Sequence, residues 1–300
     1  MIKADLHLHT IHSDGDLTPG QIVSQAAQKG YEQVSITDHD TVAGVEEALA
    51  AGRAVGVSVI PGIEITVRFA RSFFTGSLHL LTYFPEALLA DTSFTNSLNE
   101  VVSTGRGHSL TVARVAMINR EFGPRGKNPL LRHPLEVSSI EALSSNASRR
   151  HFAVALSTVH GLSREQVSRV IGNSSPAYVP SGVELNSLRS LFRDYPVAPV
   201  LAHPAAGSFP GESHYKEVLP PFSTVVRLLP EFLMAGLMGL EVYYPGHTPE
   251  HTGQLCSLAV SLGLVITGGS DCHDLSTRPM GAAGLTEPVD FQFLFRAMGG

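Results

Sequence analysis

The 300 residues contain only two cysteines, four lysines and no tryptophan, and no run of about 18 apolar residues occurs anywhere in them. Without such a run a membrane-spanning helix is not expected. The opening Met-Ile-Lys-Ala-Asp-Leu-His is charged where a signal peptide would be apolar, so the expected location is cytoplasmic, with no membrane association. Two cysteines, Cys256 and Cys272, cannot build a disulfide framework and are expected to be core thiols. The chain also lacks an excess of positive charge: its formal net charge is -6 and its pI about 6.1. A broad phosphate-gripping surface for long nucleic acid is therefore excluded, and small or short substrates are favoured. No repeat or low-complexity tract is evident.

What is present is a composition suited to a large core, with 43% hydrophobic and 16% charged residues and a mean hydropathy of +0.11. Histidine is abundant, 14 residues against 21 Lys plus Arg, and it is the commonest metal ligand among side chains. The length suits one α/β barrel, typically about 250 residues, carrying an insertion.

Short apolar runs followed by helical patterns predict repeated βα units. Strands are expected over 2–8, 34–37, 57–62 and 77–84, with helices over 19–29, where Thr18 is the N-cap and Pro19 the first residue, and over 42–54. From about 91 to 182 helical periodicity dominates and Gly, Pro, Ser and Arg punctuate the segments, which predicts an inserted helical subdomain between barrel segments 1–90 and 183–300. The βα rhythm resumes with strands over 197–202, 239–243 and 264–268 and helices over 224–235 and 249–262. Residues 205–223, rich in Pro, Gly and Ser, are open between a lid and a surface loop.

The chemistry-bearing residues fall at the ends of these runs. His7 and His9 are two apart on a strand, so both imidazoles share one side and can reach one ion. The turn that follows can bring Asp14 back to the same end. The second strand runs into Asp38-His39-Asp40, the third into Glu64; His79 lies in an apolar strand, His203 ends another, and Asp271 and His273 follow the last. Parallel strands in a barrel bring their C-terminal ends to one face, so these distant residues are expected to meet there. Glu64 follows an apolar run, where a carboxylate is costly unless cations offset it.

These motifs resemble the PHP (polymerase and histidinol phosphatase) family of metal-dependent phosphoesterases. They are Asp5-Leu6-His7-Leu8-His9-Thr10 with Ser13-Asp14-Gly15, Ile36-Thr37-Asp38-His39-Asp40-Thr41, Pro61-Gly62-Ile63-Glu64-Ile65, Leu78-His79-Leu80-Leu81, Ala202-His203-Pro204 and Gly269-Ser270-Asp271-Cys272-His273. The resemblance implies an α/β fold, a distorted TIM-like (β/α)7 barrel, holding two or three divalent ions (Mn, Fe or Zn). His7, His9, Glu64 and Asp271 would hold one; Glu64, shared, with His79 and His203 a second; Asp14, His39 and His273 a third. Candidate catalytic residues are His203, Asp40 and Asp271, with His203, Asp40 or a second metal-bound water as the source of the leaving-group proton.

Within the family the insertion resembles that of enzymes removing the 3'-phosphate from nucleoside 3',5'-bisphosphates and trimming short 5'-phosphorylated RNA. Arg149-Arg150-His151-Phe152-Ala153 is similar to their Arg-Pro-His-Phe-Ala signature, with Arg150 in place of proline and Val154 where an arginine is usual. Arg149 is the candidate phosphate clamp, since a guanidinium presents a planar fork to phosphate oxygens, and His247 a second substrate-lining residue. The implied partner is a small phosphorylated substrate, a nucleotide or short oligonucleotide, with no obligate protein partner. A phosphatase of another metabolite such as histidinol phosphate, and a non-catalytic metal-binding barrel, stay open. Amidohydrolases commonly bridge metals with a carboxylated lysine, and none of Lys3, Lys29, Lys127 and Lys216 sits at a strand end, which disfavours that chemistry.

Overall fold

The computed structural model describes residues 1–211 and 214–298. Its strands are β1 (Ala4–Leu8), β2 (Gln33–Ile36), β3 (Ser58–Val59), β4 (Gly62–Arg71), β5 (Phe74–Tyr83), β6 (Val183–Glu184), β7 (Ala198–Leu201), β8 (Gly239–Tyr243) and β9 (Val265–Gly268). Its helices are α1 (Pro19–Gln28), α2 (Val45–Val55), α3 (Thr92–Ser103), α4 (His108–Phe122), α5 (Val137–Glu141), α6 (Arg149–Thr158), α7 (Arg164–Ile171), α8 (Arg189–Asp194), α9 (His214–Val218), α10 (Phe222–Ala235), α11 (Pro249–Leu262) and α12 (Phe291–Met298). Among the described residues no helix is long and apolar enough to cross a membrane.

Local rules set the boundaries. Thr18 accepts from Gln21 N–H and its backbone is bonded in return by the Gln21 side chain, a capping box that starts α1 at Pro19. Thr248 caps α11 in the same way, with Pro249 at its first position.

The strands form a parallel three-stranded sheet, β1-β2-β3, and a six-stranded sheet in the order β6-β4-β5-β7-β8-β9. The two meet at isolated bridges, Leu8 to Cys272 and His39 to Glu64. The sheet departs from the expected parallel rhythm at β5, which runs antiparallel to both β4 and β7. The run over 57–62 divides, Ser58–Val59 pairing with β2 while Gly62 opens β4, which turns back on β5 as an antiparallel hairpin. The cause is legible in β4 itself: Ile63, Ile65, Val67 and Phe69 alternate into one hydrophobic core with Leu78 and Leu80 of β5. Glu64 and Thr66 therefore point to the opposite face, and His79, directly across from Thr66, joins them there. His79 thus reaches the site from the middle of an antiparallel strand and not from a strand end.

The main core lies between the six-stranded sheet and helices α3, α8, α10 and α11. A second apolar cluster, Ala4, Leu6, Leu81, Tyr83, Ala198, Val200 and α12 residues Phe291 and Phe295, fills the other face at the end away from the histidines. A third lies between β1, β2 and helices α1 and α2. Residues 115–177 make a cluster of their own from α4 to α7, including Phe122, Leu135, Ile140, Phe152 and Leu156, while α3 buries Phe94, Leu98 and Val102 against the sheet core. Cys272 is buried and Cys256 half-buried, both as free thiols.

Because Phe122 is wholly buried in this separate helical cluster, Phe122→Ala should cost about 3–5 kcal/mol through the cavity it leaves. A denaturant titration followed by circular dichroism checks this; a midpoint equal to that of the unaltered chain would contradict the packing described.

Candidate metal centre

All nine residues of the expected ligand set converge. Glu64 lies at the centre: its Oε1 is 3.3 Å from His7 Nε2, 3.1 Å from His79 Nδ1 and 3.2 Å from His203 Nε2. Its Oε2 is 3.2 Å from His9 Nε2 and 3.0 Å from His39 Nδ1. Asp271 Oδ1 lies 3.4 Å from His7 Nε2 and 3.2 Å from His9 Nε2. Asp14 Oδ1 is 3.2 Å from His273 Nε2 and 3.9 Å from His39 Nε2. Three groups emerge, each with donor atoms within 4.8 Å of one another: His7, His9 and Asp271; His39, Glu64 and His79; and His9, Asp14, His39 and His273.

Neighbouring groups fix how the imidazoles face. His7 Nδ1 lies 2.9 Å from buried Glu241, to which it donates. His9 Nδ1 lies 3.3 Å from the Ser13 hydroxyl, which itself donates to Asp38 at 2.6 Å. His273 Nδ1 lies 2.8 Å from the Asp271 carbonyl. With Nδ1 committed as donor, each of these rings turns its Nε2 lone pair inward, the state a metal ligand needs. In the deprotonated, metal-ready state the Nε2 lone pairs of His7 and His9 would face each other at 3.2 Å, a repulsion that a cation relieves. Asp14 Oδ1, His39 Nδ1, Glu64 Oε2 and His203 Nδ1 are also buried without a well-angled hydrogen-bond partner. The donor chemistry thus fits divalent cations, and mixed nitrogen and oxygen ligands without cysteine suit an open site better than a closed structural zinc.

The electrostatics of the ion-free cluster agree. Burial opposes the charged form of His7, yet Glu241, Glu64 and Asp271 outweigh it and hold its pKa well above the ordinary value. The same contest, with Asp271 and Glu64 as partners, pushes His9 up to about 9. Burial opposes ionisation of the carboxylates, but the surrounding histidines hold Glu64, Asp14 and, with Arg278, Asp271 well below the usual range. At His39 burial wins and lowers the pKa to about 4.

The supporting shell explains why the loops fold as they do. Asp38 accepts from Thr10 N–H at 2.7 Å, the Thr10 hydroxyl at 2.6 Å and the Ser13 hydroxyl at 2.6 Å, which curls the turn after β1. Gly15 closes that turn, since a Cβ there would lie 2.4 Å from His9 O. A Cβ on Gly269 would lie 2.4 Å from His7 Cβ and 2.6 Å from His7 N, so this glycine lets the chain after β9 approach β1. Among the described residues the non-glycine positions with positive φ are Asp40, His203 and Asp271, all at this site, as expected where function holds backbone strain.

Two of the expected residues have other engagements. Asp40 accepts from Thr66 N–H at 2.7 Å and the Thr66 hydroxyl at 2.9 Å, and is ion-paired with buried Arg106, so its oxygens serve to lock β4 to the loop after β2. His247 does not line the cavity: its Nδ1–H donates to Val242 O at 2.9 Å and its Nε2 accepts from Ala205 N–H at 3.2 Å, which fixes it as a strut between two loops. Burial lowers its pKa to about 4.

The candidate ligand cluster floors a cavity of about 370 Å³ whose wall includes Arg106, Arg114, Arg149, Arg150, Arg164 and Arg278, with Tyr215, Val218 and Leu219 from the 205–223 stretch. Arg149 donates to Asn173 at 2.8 Å and stacks over Tyr178 at 5.7 Å; Arg114 donates to Val179 O at 3.1 Å. Burial, with repulsion from Arg149 and Arg106, lowers Arg114 to about 9. Sequence reasoning passed over Arg106 and Arg114, which carry no local signal, and Glu241, whose signal was a lone carboxylate inside the apolar strand β8. It also missed the bonds to Asp271 Oδ2 from the Tyr244 hydroxyl at 2.9 Å and Arg278 at 3.2 Å.

The profile of the PHP domain matches residues 5–133. A phosphoribosyl 1,2-cyclic phosphate 1,2-diphosphodiesterase from Eggerthella lenta is 30% identical over 281 residues, 90% of this chain and 93% of that protein. A 5'-3' exoribonuclease from Haemophilus influenzae is 26% identical over 275 residues, 90% of each chain. An amidohydrolase from Chromobacterium violaceum, solved with bound sulfate and no metal, superposes with a TM-score of 0.71 at 22% identity, covering 99% of this chain and 96% of that one, a likeness of fold alone. The chain belongs to the PHP family of metal-dependent phosphoesterases and is a hydrolase of that class.

Because neighbouring carboxylates raise the pKa of His7 and His9 without metal, loading at pH 7 should release protons, and apparent affinity should rise as the pH climbs to about 9, where His9 is half deprotonated. Calorimetric titration with Mn in two buffers of different ionisation heat reads this directly; identical heats would refute it. Glu241→Gln, which weakens the acceptor for His7, should lower metal affinity by about 10- to 100-fold with the fold retained, as measured by metal content after dialysis.

Proposed function

We propose that this chain removes the 3'-phosphate from nucleoside 3',5'-bisphosphates with a metal-activated water, and that short 5'-phosphorylated RNA is a further substrate. The observation that carries the reading is the pairing of Arg149 and Arg114 on the wall of the cavity that the metal cluster floors. A substrate with two phosphates satisfies both ends, one at the cations and one at the guanidiniums. His7, His9, Glu64 and Asp271 would hold one ion, Glu64, His79 and His203 a second, and Asp14, His39 and His273 a third. When bound, such ions neutralise the phosphate and lower the pKa of water.

The chain's own groups do the rest. Arg149 and Arg114 hold the second phosphate and so align the first. Asp271 is divided, Oδ1 toward the ions and Oδ2 held by Tyr244 and Arg278. Asp40, committed to Thr66 and Arg106, is a poor source of the leaving-group proton, and His203 can supply it only when it is not holding the second ion. We read the two sheets as one distorted (β/α)7 barrel joined at the Leu8–Cys272 and His39–Glu64 bridges, with residues 91–182 as the insertion that supplies the arginines.

A second reading is hydrolysis of a cyclic phosphodiester on a 5-phosphorylated ribose. The Eggerthella lenta relative, which matches 90% of the chain, favours it, and it too places a second phosphate on the arginines.

The test is product formation by Mn-loaded protein, read as released phosphate from adenosine 3',5'-bisphosphate, adenosine 3'-monophosphate and histidinol phosphate, and as the ring-opened monoester, separated by anion-exchange chromatography, from 5-phosphoribosyl 1,2-cyclic phosphate. The bisphosphate should be preferred to the 3'-monophosphate by about 10- to 100-fold in kcat/KM, the worth of charge-assisted hydrogen bonds of about 1.5–3 kcal/mol, and Arg149→Ala should remove that preference. Preference for the cyclic ester selects the second reading. Equal rates on mono- and bisphosphate would reject the arginine subsite, and no release from any substrate would return the chain to a metal-binding role.

A further inference from the structure

Arg149 and Arg150 are the first and second residues of α6, started by Ser148, whose hydroxyl accepts from Arg150 N–H at 3.1 Å. Their side chains part company. Arg149 is bonded within the helical segment, to Asn173, and stacks on Tyr178. Arg150 reaches across to the other side: its Nη2 is 3.0 Å from Asp16 Oδ1 and its Nη1 3.7 Å from Asp274 Oδ2.

Both carboxylates belong to loops that carry the metal ligands. Asp16 N–H donates to His273 O at 2.7 Å. Asp274 folds the loop after β9 by accepting from Ser276 N–H at 2.8 Å and the Thr277 hydroxyl at 2.6 Å, and that loop delivers Arg278 to Asp271. Two further links attach the helical segment nearby, Asn146 Nδ2 to His39 O at 2.6 Å and Arg106 to Asp40. Of these, Arg150 is the one joined to the loops after β1 and β9.

We propose that Arg150 is a positioning and specificity-determining residue: it straps the start of α6 to Asp16 and Asp274, and so sets the distance between Arg149 and the metal cluster. The inference rests on the two-phosphate reading of the site. A substrate that spans from the ions to Arg149 depends on that distance, whereas a substrate with one phosphate, held at the ions alone, does not. An exposed ion pair contributes little to stability, about 1 kcal/mol or less, so the strap acts on alignment more than on folding.

The experiment uses the Mn-loaded full chain with Arg150→Ala, Asp16→Asn, the double variant and the charge exchange Arg150→Asp with Asp16→Arg. Each is assayed with adenosine 3',5'-bisphosphate and with p-nitrophenyl phosphate, with metal content measured alongside. The single variants should each lower kcat/KM for the bisphosphate about 10-fold, leave p-nitrophenyl phosphate within about 2-fold, and retain their metal. The double variant should be no worse than the singles, and the charge exchange should recover part of the loss. Equal losses on both substrates would overturn the proposal. A loss for Arg150→Ala with none for Asp16→Asn would also overturn it, since Arg150 would then touch the substrate itself. If the unaltered chain does not prefer the bisphosphate, the substrate reading has failed and the strap is judged by amide hydrogen exchange across α6. Faster exchange in both single variants supports the strap; unchanged protection refutes it.

Discussion

One buried carboxylate organises this molecule. Glu64, about 1% exposed, stands within 3.3 Å of nitrogens from His7, His9, His39, His79 and His203. Neither the carboxylate nor five imidazoles would be stable there alone, because each would be desolvated without full hydrogen bonding. Together they make a cavity for cations, and the residues around them serve to hold the donors apart and aimed. That is why so many polar groups are buried at this end, while the same sheet face at the other end is filled by Leu81, Tyr83, Val200 and Phe291.

The aim of each donor depends on a second layer. Glu241 orients His7, Ser13 and Asp38 orient His9, and a backbone carbonyl orients His273. Positive φ at Asp40, His203 and Asp271 turns the chain sharply just where strand gives way to loop. Such conformations cost about 1–3 kcal/mol each and persist only when neighbours enforce them. At Asp40 the enforcing contacts are Thr66 and Arg106; at Asp271 they are Tyr244 and Arg278.

The helical segment adds what the metal cluster lacks, positive charge at a distance. Arg106, Arg114, Arg149 and Arg150 all border the cavity, and Arg106 and Arg150 in addition fasten the segment to the loops that carry the candidate ligands. The fastening residues differ in burial. Arg106 is nearly enclosed, so its loss would leave Asp40 without compensation, while Arg150 is about one third exposed and acts through geometry.

The meeting of the nine candidate positions at one place was legible because most of them interrupt or follow an apolar strand pattern with a histidine or carboxylate, in motifs that resemble those of the PHP family. The boundaries of α1, β8 and α11 were legible for similar local reasons, a cap and an apolar period. The β4–β5 hairpin was hidden in the run after Pro61, because a parallel and an antiparallel strand share the same two-residue alternation and only pairing tells them apart. His247 and Asp40 could not be sorted in advance, since a polar side chain's role depends on whether distant backbone or side-chain groups, here Val242, Ala205, Thr66 and Arg106, reach it first. The sequence by itself thus determined that histidines and carboxylates suited to divalent ions recur in family motifs along the chain, which follows from side-chain type and motif order. Only the tertiary structure decided which arginines border the cavity and which of them are also held by aspartates, because that depends on distances between segments far apart in the chain, 66 residues for Arg106 and Asp40 and 134 for Arg150 and Asp16.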